Sequence, residues 1–286
     1  MTFPYNLVPL NRCVPIPSFF SVIVATVGAC TQDTCNAGMM AAQSAAASGA
    51  DVTLLEHMEK LGRKIYITGK GRCNVTNDCT LDEFLKEVAR NPRFLYSALN
   101  AWSPQDMIAF LSEEGCPTVT EHGRRVFPVS QKASDVTRAL KNRLQALHVR
   151  VCLNAEVKAL IAENQQITGV KLQDGTFFPA DAVVLATGGL AYPATGSTGD
   201  GYILAQSLGH TLQKPRPSLS AMETREDWPR SLQGLSLRNV SLTAKFGKKT
   251  LYDHQGEMLF THFGISGPLV LEMSCHLPET LDDVSV

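Results

Sequence analysis

The spacing of apolar and polar residues along this chain changes several times, and each change marks an element. Ser21-Val22-Ile23-Val24 reads as a short buried strand. Asn36-Ala37-Gly38-Met39-Met40 opens an alanine-rich helix running to Gly49, and Asp51-Val52-Thr53-Leu54-Leu55-Glu56 is a second buried strand ending in an acid. Strand, helix and strand in this order predict a βαβ unit. Helical segments follow at about 82–90, 93–101 and 104–114, the last opened by Ser103-Pro104 as cap and first turn. Val136, Leu140, Leu144 and Leu147 form a stripe at helical spacing, most simply a core face.

From Val149 the period becomes that of strands: Val149–Leu153, Ala155–Ala162 and Ile167–Gln173, then the turn Asp174-Gly175 and Thr176–Phe178. Ala182–Thr187 reads as another buried strand, ending in Gly188-Gly189. A glycine pair at the carboxyl end of such a strand stands where open α/β sheets bind ligands, although close backbone packing explains it equally well. A glycine- and threonine-rich loop, Tyr192–Gly201, precedes a helix at about 201–208, and the chain beyond Pro215 is β-rich, with Asn239–Phe246 its clearest strand. The expectation is an α/β fold with a parallel sheet from 21–56 and 182–187, a β-meander from about 151 to 178, and a further β-rich part.

The first βαβ unit carries part of a dinucleotide fingerprint. Gly38 and Glu56 stand 18 positions apart, close to the spacing that puts a carboxylate on a ribose hydroxyl. The Gly-x-Gly-x-x-Gly loop is disrupted, because Val24 is followed by the stretch Ala25–Cys35 and only Gly38 stands where the motif needs glycine. The stretch is expected to obstruct the approach of a pyrophosphate to the helix N-terminus. An ordinary α/β unit without nucleotide is the other reading.

The chain has 286 residues, 44% of them hydrophobic and 19% charged, with a formal net charge of −1. Nothing in that balance points to nucleic acid or an anionic membrane. Eight cysteines show no Cys-x-x-Cys pair and no zinc-type cluster, so no metal is expected, and scattered thiols suit a reducing cytoplasm. Thr26–Cys30 matches a lipoprotein cleavage pattern, but the preceding segment is broken by Pro15 and Pro17, and residues 1–20 read as an irregular lead-in.

Candidate chemistry gathers in the basic, glycine-punctuated stretch Lys60–Asn77, whose Arg63, Lys64 and Arg72 suit an anion, although most charge runs are solvated turns. Arg72 beside Cys73 would favour a thiolate, but no second cysteine stands two residues away, and Cys73 is read as structural. His262 is read as a hydrogen-bonded structural residue.

Five segments in order resemble the BaiN-like (YhiN-type) flavoprotein family. They are Lys60–Asn77, Gly123-Arg124-Arg125-Val126-Phe127-Pro128, Ala186–Gly201, Leu232-Gln233-Gly234-Leu235 and Phe260–Pro268. The resemblance, over about Asn36 to Leu271, implies an FAD-dependent oxidoreductase that takes hydride from NAD(P)H and acts on an unknown small-molecule substrate. It implies an FAD-binding domain over 21–190 and an incomplete β-barrel-like inserted substrate domain over 191–286, members of the family continuing past Val286. Glu56 would hold the adenosine ribose, Val157 would lie beside the adenine, and Thr187, Gly188 and Gly189 would lie near the FAD. The Gly69–Asn74 turn, with Gly71, Arg72, Cys73 and Asn74, would face the flavin region, and the residues themselves add Gly38, Arg63 and Lys64 as candidate cofactor contacts. The alternative is an inactive fragment that keeps the scaffold without FAD.

Overall fold

The computed structural model describes residues 20–26, 37–281 and 284–286. The altered loop at 25–35 lies almost wholly outside the described residues, as does the lead-in before Phe20. The chain divides into two compact units at Leu212/Gln213, not at 190/191, and α6 (Asp200–Ser207) packs on a strand of the first unit.

In the first unit β1 (Ser21–Thr26), α1 (Ala37–Ala47) and β2 (Asp51–Glu56) form the expected βαβ unit. Helix α1 ends because Gly49 takes φ +95, which lets its N–H reach Ala46 O and lets the Ala50 N–H reach Ala45 O. Next come β3 (Thr76–Asn77), α2 (Leu81–Glu87), α3 (Tyr96–Ala101), α4 (Pro104–Glu113), β4 (Thr118–Glu121) and β5 (Arg125–Pro128). The strands β3, β5 and β4 make a small antiparallel sheet that the sequence pattern did not reveal. Each is four residues or fewer, too short to show a period.

After α5 (Ala133–Ala146) the chain enters β6 (Arg150–Cys152), which pairs parallel with β2. Residues 150–152 therefore belong to the parallel sheet and not to the meander. His148, at φ 55, reverses the chain after α5, and the Val149 N–H bonds back to Leu144 O at 3.0 Å. That helix end makes α5 the crossover of a second βαβ connection. The meander is β7 (Val157–Glu163), β8 (Gln166–Leu172) and β9 (Phe177–Pro179), antiparallel throughout. The chain then returns as β10 (Ala182–Ala186), giving the parallel order β10-β1-β2-β6. Expected to be fully buried, β10 is only partly so along its length, because among the described residues it pairs on one side only.

Both faces of this sheet are covered. Val22, Val24, Val52 and Leu54 pack with Met39, Ala42, Val136 and Leu140 from the helices. Ile23 and Leu55, of opposite parity, pack with Leu160, Val170 and Leu172 of the meander. The alternation explains why β1 and β2 read as unbroken apolar runs.

The second unit is a five-stranded sheet in the order β11-β14-β13-β12-β15. Its elements are β11 (Met222–Glu223), α7 (Trp228–Ser231), β12 (Ser236–Phe246), β13 (Lys249–Phe260), β14 (Gly264–Ser266), α8 (Pro268–Ser274) and β15 (Val284–Ser285). Val270 and Met273 of α8 seal its core against Ala244, Tyr252 and Phe260.

The helical segment of the first unit is tied down by charge. Thr80 caps α2 in a reciprocal capping box with Glu83, and Arg124 meets the Glu83 carboxylate at 2.7 Å. The Arg124 hydrogen bond, and then those from Thr80, hold the Glu83 carboxyl at about 2, below its ordinary 4.5. The stabilisation is therefore complete above about pH 4.5 and is lost as the pH falls through about 2. The Thr80 backbone amide, which donates to the Glu83 carboxylate, is expected to shift with a titration near pH 2, and Glu83→Gln is expected to abolish that titration. A titration near 4.5 in the unsubstituted chain would contradict the pairing.

Candidate cofactor-binding site

The parallel pairing aligns three strand ends. Thr26 lies opposite Ala186 on one side and Glu56 on the other, so β10, β1 and β2 finish in one row. The chain leaves β1 to one neighbour and returns through β10 on the other, which makes β1 the point where strand order reverses. Ligands of open α/β sheets bind at the carboxyl end of such a point.

Glu56 is 2% exposed, and one carboxylate oxygen accepts the Met58 N–H at 3.0 Å. Its carbonyl accepts the Ala155 N–H at 2.9 Å, which brings the start of β7, and with it Val157, to the end of β2. Thr187 is buried and Gly188 takes φ +72, so the chain turns sharply on leaving β10. A Cβ on Gly201 would overlap Thr187 Oγ1, so α6 approaches this turn closely only because that residue is glycine. Gly38 is buried in the first turn of α1.

Three cations of the 60–77 stretch each take partners from a different segment of the chain. Arg63 pairs with Glu59 at 3.4 Å on the surface, an arrangement worth about 0.3–0.5 kcal/mol. Lys64 is 1% exposed, and its ammonium donates to Ala191 O at 2.8 Å and to Ser197 Oγ at 2.6 Å. Arg72 stacks on the Phe127 ring at 4.0 Å and donates to Glu121 at 2.9 Å and Gln131 at 2.8 Å. Its charge is thus already partnered beside Cys73.

Gly69, Lys70, Gly71 and Cys73 all take positive φ, making a compact turn closed by the Cys73 N–H on Thr68 O at 3.2 Å. A Cβ on Gly69 would stand 2.9 Å from the Asn74 nitrogen, so glycine is required there. Cys73 and Asn74 line a cavity alongside α1 that none of Glu56, Val157 or Thr187–Gly189 lines. Sequence reasoning missed Ser197, Glu121 and Gln131 as partners of the basic stretch. The glycine- and threonine-rich Tyr192–Gly201 loop was the one signal available.

A family described as the HI0933-like protein Rossmann domain matches residues 23–270. The chain belongs to the HI0933-like family. This member is 34% identical over 246 residues to the 3-dehydro-bile acid delta(4,6)-reductase of Clostridium scindens, covering 85% of this chain and 59% of that protein. It is 33% identical over 245 residues to a ribosomal RNA dihydrouridine synthase of Haemophilus influenzae, covering 83% of this chain and 58% of the relative. The chain thus spans a little under three fifths of the length of these relatives. Among solved structures, the open conformation of a flavocytochrome c3 fumarate reductase aligns with a TM-score of 0.52 at 18% identity, covering 77% of this chain and 47% of the other. A 3-ketosteroid-delta4-(5alpha)-dehydrogenase from Rhodococcus jostii aligns at 0.51 and 17%, covering 77% and 59%. The architecture of the HI0933-like chain is the α/β fold of FAD-binding proteins, carrying additional sheets.

Lys64→Met keeps the length of the buried side chain and deletes its donors. It leaves the fully buried Ser197 hydroxyl without this bond, at an expected cost of roughly 1–3 kcal/mol. Amide exchange over 191–199 should accelerate, and unchanged exchange there would contradict the clamp.

Proposed function

We propose that this protein is an FAD-dependent oxidoreductase that takes its electrons from NAD(P)H and acts on a small molecule. The observation that carries this reading is the buried Glu56 carboxylate, aligned in register with the ends of β1 and β10, the strand that Thr187-Gly188-Gly189 follow. One Glu56 carboxylate oxygen accepts the Met58 N–H, and a carboxylate is the kind of acceptor that the hydroxyls of a ribose diol need. That acceptor chemistry fits an adenosine ribose.

Glu56 would bind that ribose, Val157 would pack beside the adenine, and the N-terminal turn of α1 at Gly38 would receive the pyrophosphate. The turn after β10 would bring backbone groups of Gly188 and Gly189 to the cofactor without side chains in the way. Lys64 orients the 191–197 loop through Ala191 and Ser197, so it acts on the site by positioning. Bound FAD would supply the two-electron chemistry that protein side chains lack. The names of the relatives, a reductase and a dihydrouridine synthase, support redox chemistry. A net charge of −1 favours a small-molecule substrate over the basic footprint that RNA demands. A cytoplasmic setting goes with reduced nicotinamide cofactors and with the free thiols of Cys79, Cys116 and Cys152. No helix among those residues is long and apolar enough to cross a membrane.

Titration with FAD is the test. Glu56→Ala is expected to weaken FAD binding roughly 10- to 150-fold, the equivalent of a charge-assisted hydrogen bond of about 1.5–3 kcal/mol. Equal affinity in the variant would place the ribose elsewhere, and no binding by the unsubstituted chain would favour a scaffold without cofactor. Anaerobic bleaching of the bound flavin by NADH or NADPH identifies the reductant, and bleaching by neither would refute the nicotinamide part.

A further inference from the structure

Alongside α1 the first unit holds a cavity of about 730 Å³, within the range of roughly 300–1,000 Å³ for small-molecule pockets. Met40, Leu99, Trp102, Met107, Phe110 and Val136 give it chiefly apolar walls. Trp102 is 42% exposed and meets Phe110 edge to face, with ring centroids 5.9 Å apart. Arg143, the charged side chain among its lining residues, faces Glu114 at 3.7 Å. An ion would find little compensation for lost hydration here, whereas a flat apolar ring would find aromatic and thioether partners.

Two polar residues on the wall are incompletely satisfied. Gln43, 8% exposed, gives its amide N–H to Met40 Sδ at 3.0 Å, while its carbonyl oxygen is buried without a partner. The Asn74 side-chain carbonyl is likewise buried without one. Both residues line this cavity. Unmet acceptors of this kind cost free energy that a ligand donor recovers. None of the aligned groups at the strand ends, Glu56 and Thr187–Gly189, lines it.

We propose that this cavity is a binding site, separate from the cofactor site at the strand ends, for an uncharged planar ring compound carrying a hydroxyl or amide N–H donor. The ring packs against Trp102 and Phe110, and the donor hydrogen goes to the Gln43 carbonyl oxygen, Asn74 serving a second donor where the compound carries one.

The test compares 2-naphthol with 2-methoxynaphthalene, which keeps the rings and loses the donor, by equilibrium dialysis against the whole chain. The phenol is expected to bind about five-fold more tightly, the effect of one neutral hydrogen bond. Gln43→Leu should shrink that ratio, and Met107→Trp, which fills the cavity, should remove binding while the far-ultraviolet circular dichroism is kept. Equal affinity for the two compounds overturns the proposal even if neither variant folds. Unaltered phenol binding by a folded Met107→Trp also overturns it. Saturating FAD should leave phenol affinity unchanged. Displacement by FAD would merge the cavity with the cofactor site and defeat the separate site, while leaving the FAD reading intact.

Discussion

The register of β1 against its two neighbours is the constraint on which the rest of this molecule depends. Val22, Ile23 and Val24 pair in step with Val52, Thr53 and Leu54 on one side and with Ala182, Val183 and Val184 on the other. A slip of one residue would turn every apolar side chain of β1 to the wrong layer. The start of the row is fastened by Asp181, whose carboxylate accepts the Ser21 N–H at 2.8 Å and whose own N–H returns to Ser21 O at 3.0 Å. With the start fixed, the far ends must coincide, and that coincidence places Glu56 and the 187–189 turn in one row. The candidate site is thus a consequence of hydrophobic layering and not of any local motif.

Around that row the protein commits charge to fixing backbone. The buried Lys64 ammonium secures the 191–197 loop, and Arg72, sandwiched between Phe127 and Glu121, secures the turn after Thr68. A buried cation is tolerated only where its donors are met, and here the acceptors are supplied by segments distant in the chain.

The βαβ unit, the Asp174-Gly175 turn and the glycine pair after β10 were legible in sequence, because each rests on a local period or on a residue with special backbone freedom. The membership of β6 in the parallel sheet was not, because Arg150–Cys152 is short and its identity depends on what α5 packs against. The roles of Lys64 and Arg72 were also hidden. Their partners lie 133 and 49 positions away, and a run of positive charge looks the same whether it faces a phosphate or its own fold. Glu56 was legible in type and place from its spacing to Gly38. The sequence showed nothing of its near-complete burial, nor of the Ala155 N–H that the Glu56 carbonyl accepts.

The central claim is that the aligned ends of β10, β1 and β2 form the cofactor site. Amide hydrogen exchange of the whole chain, measured with and without FAD, tests it most directly. The account predicts that FAD slows exchange in three separate stretches, at 56–58, 154–157 and 187–189, which only a ligand lying across that row would protect together. Protection confined to residues 213–286, or binding of FAD with unchanged exchange in all three stretches, would contradict it.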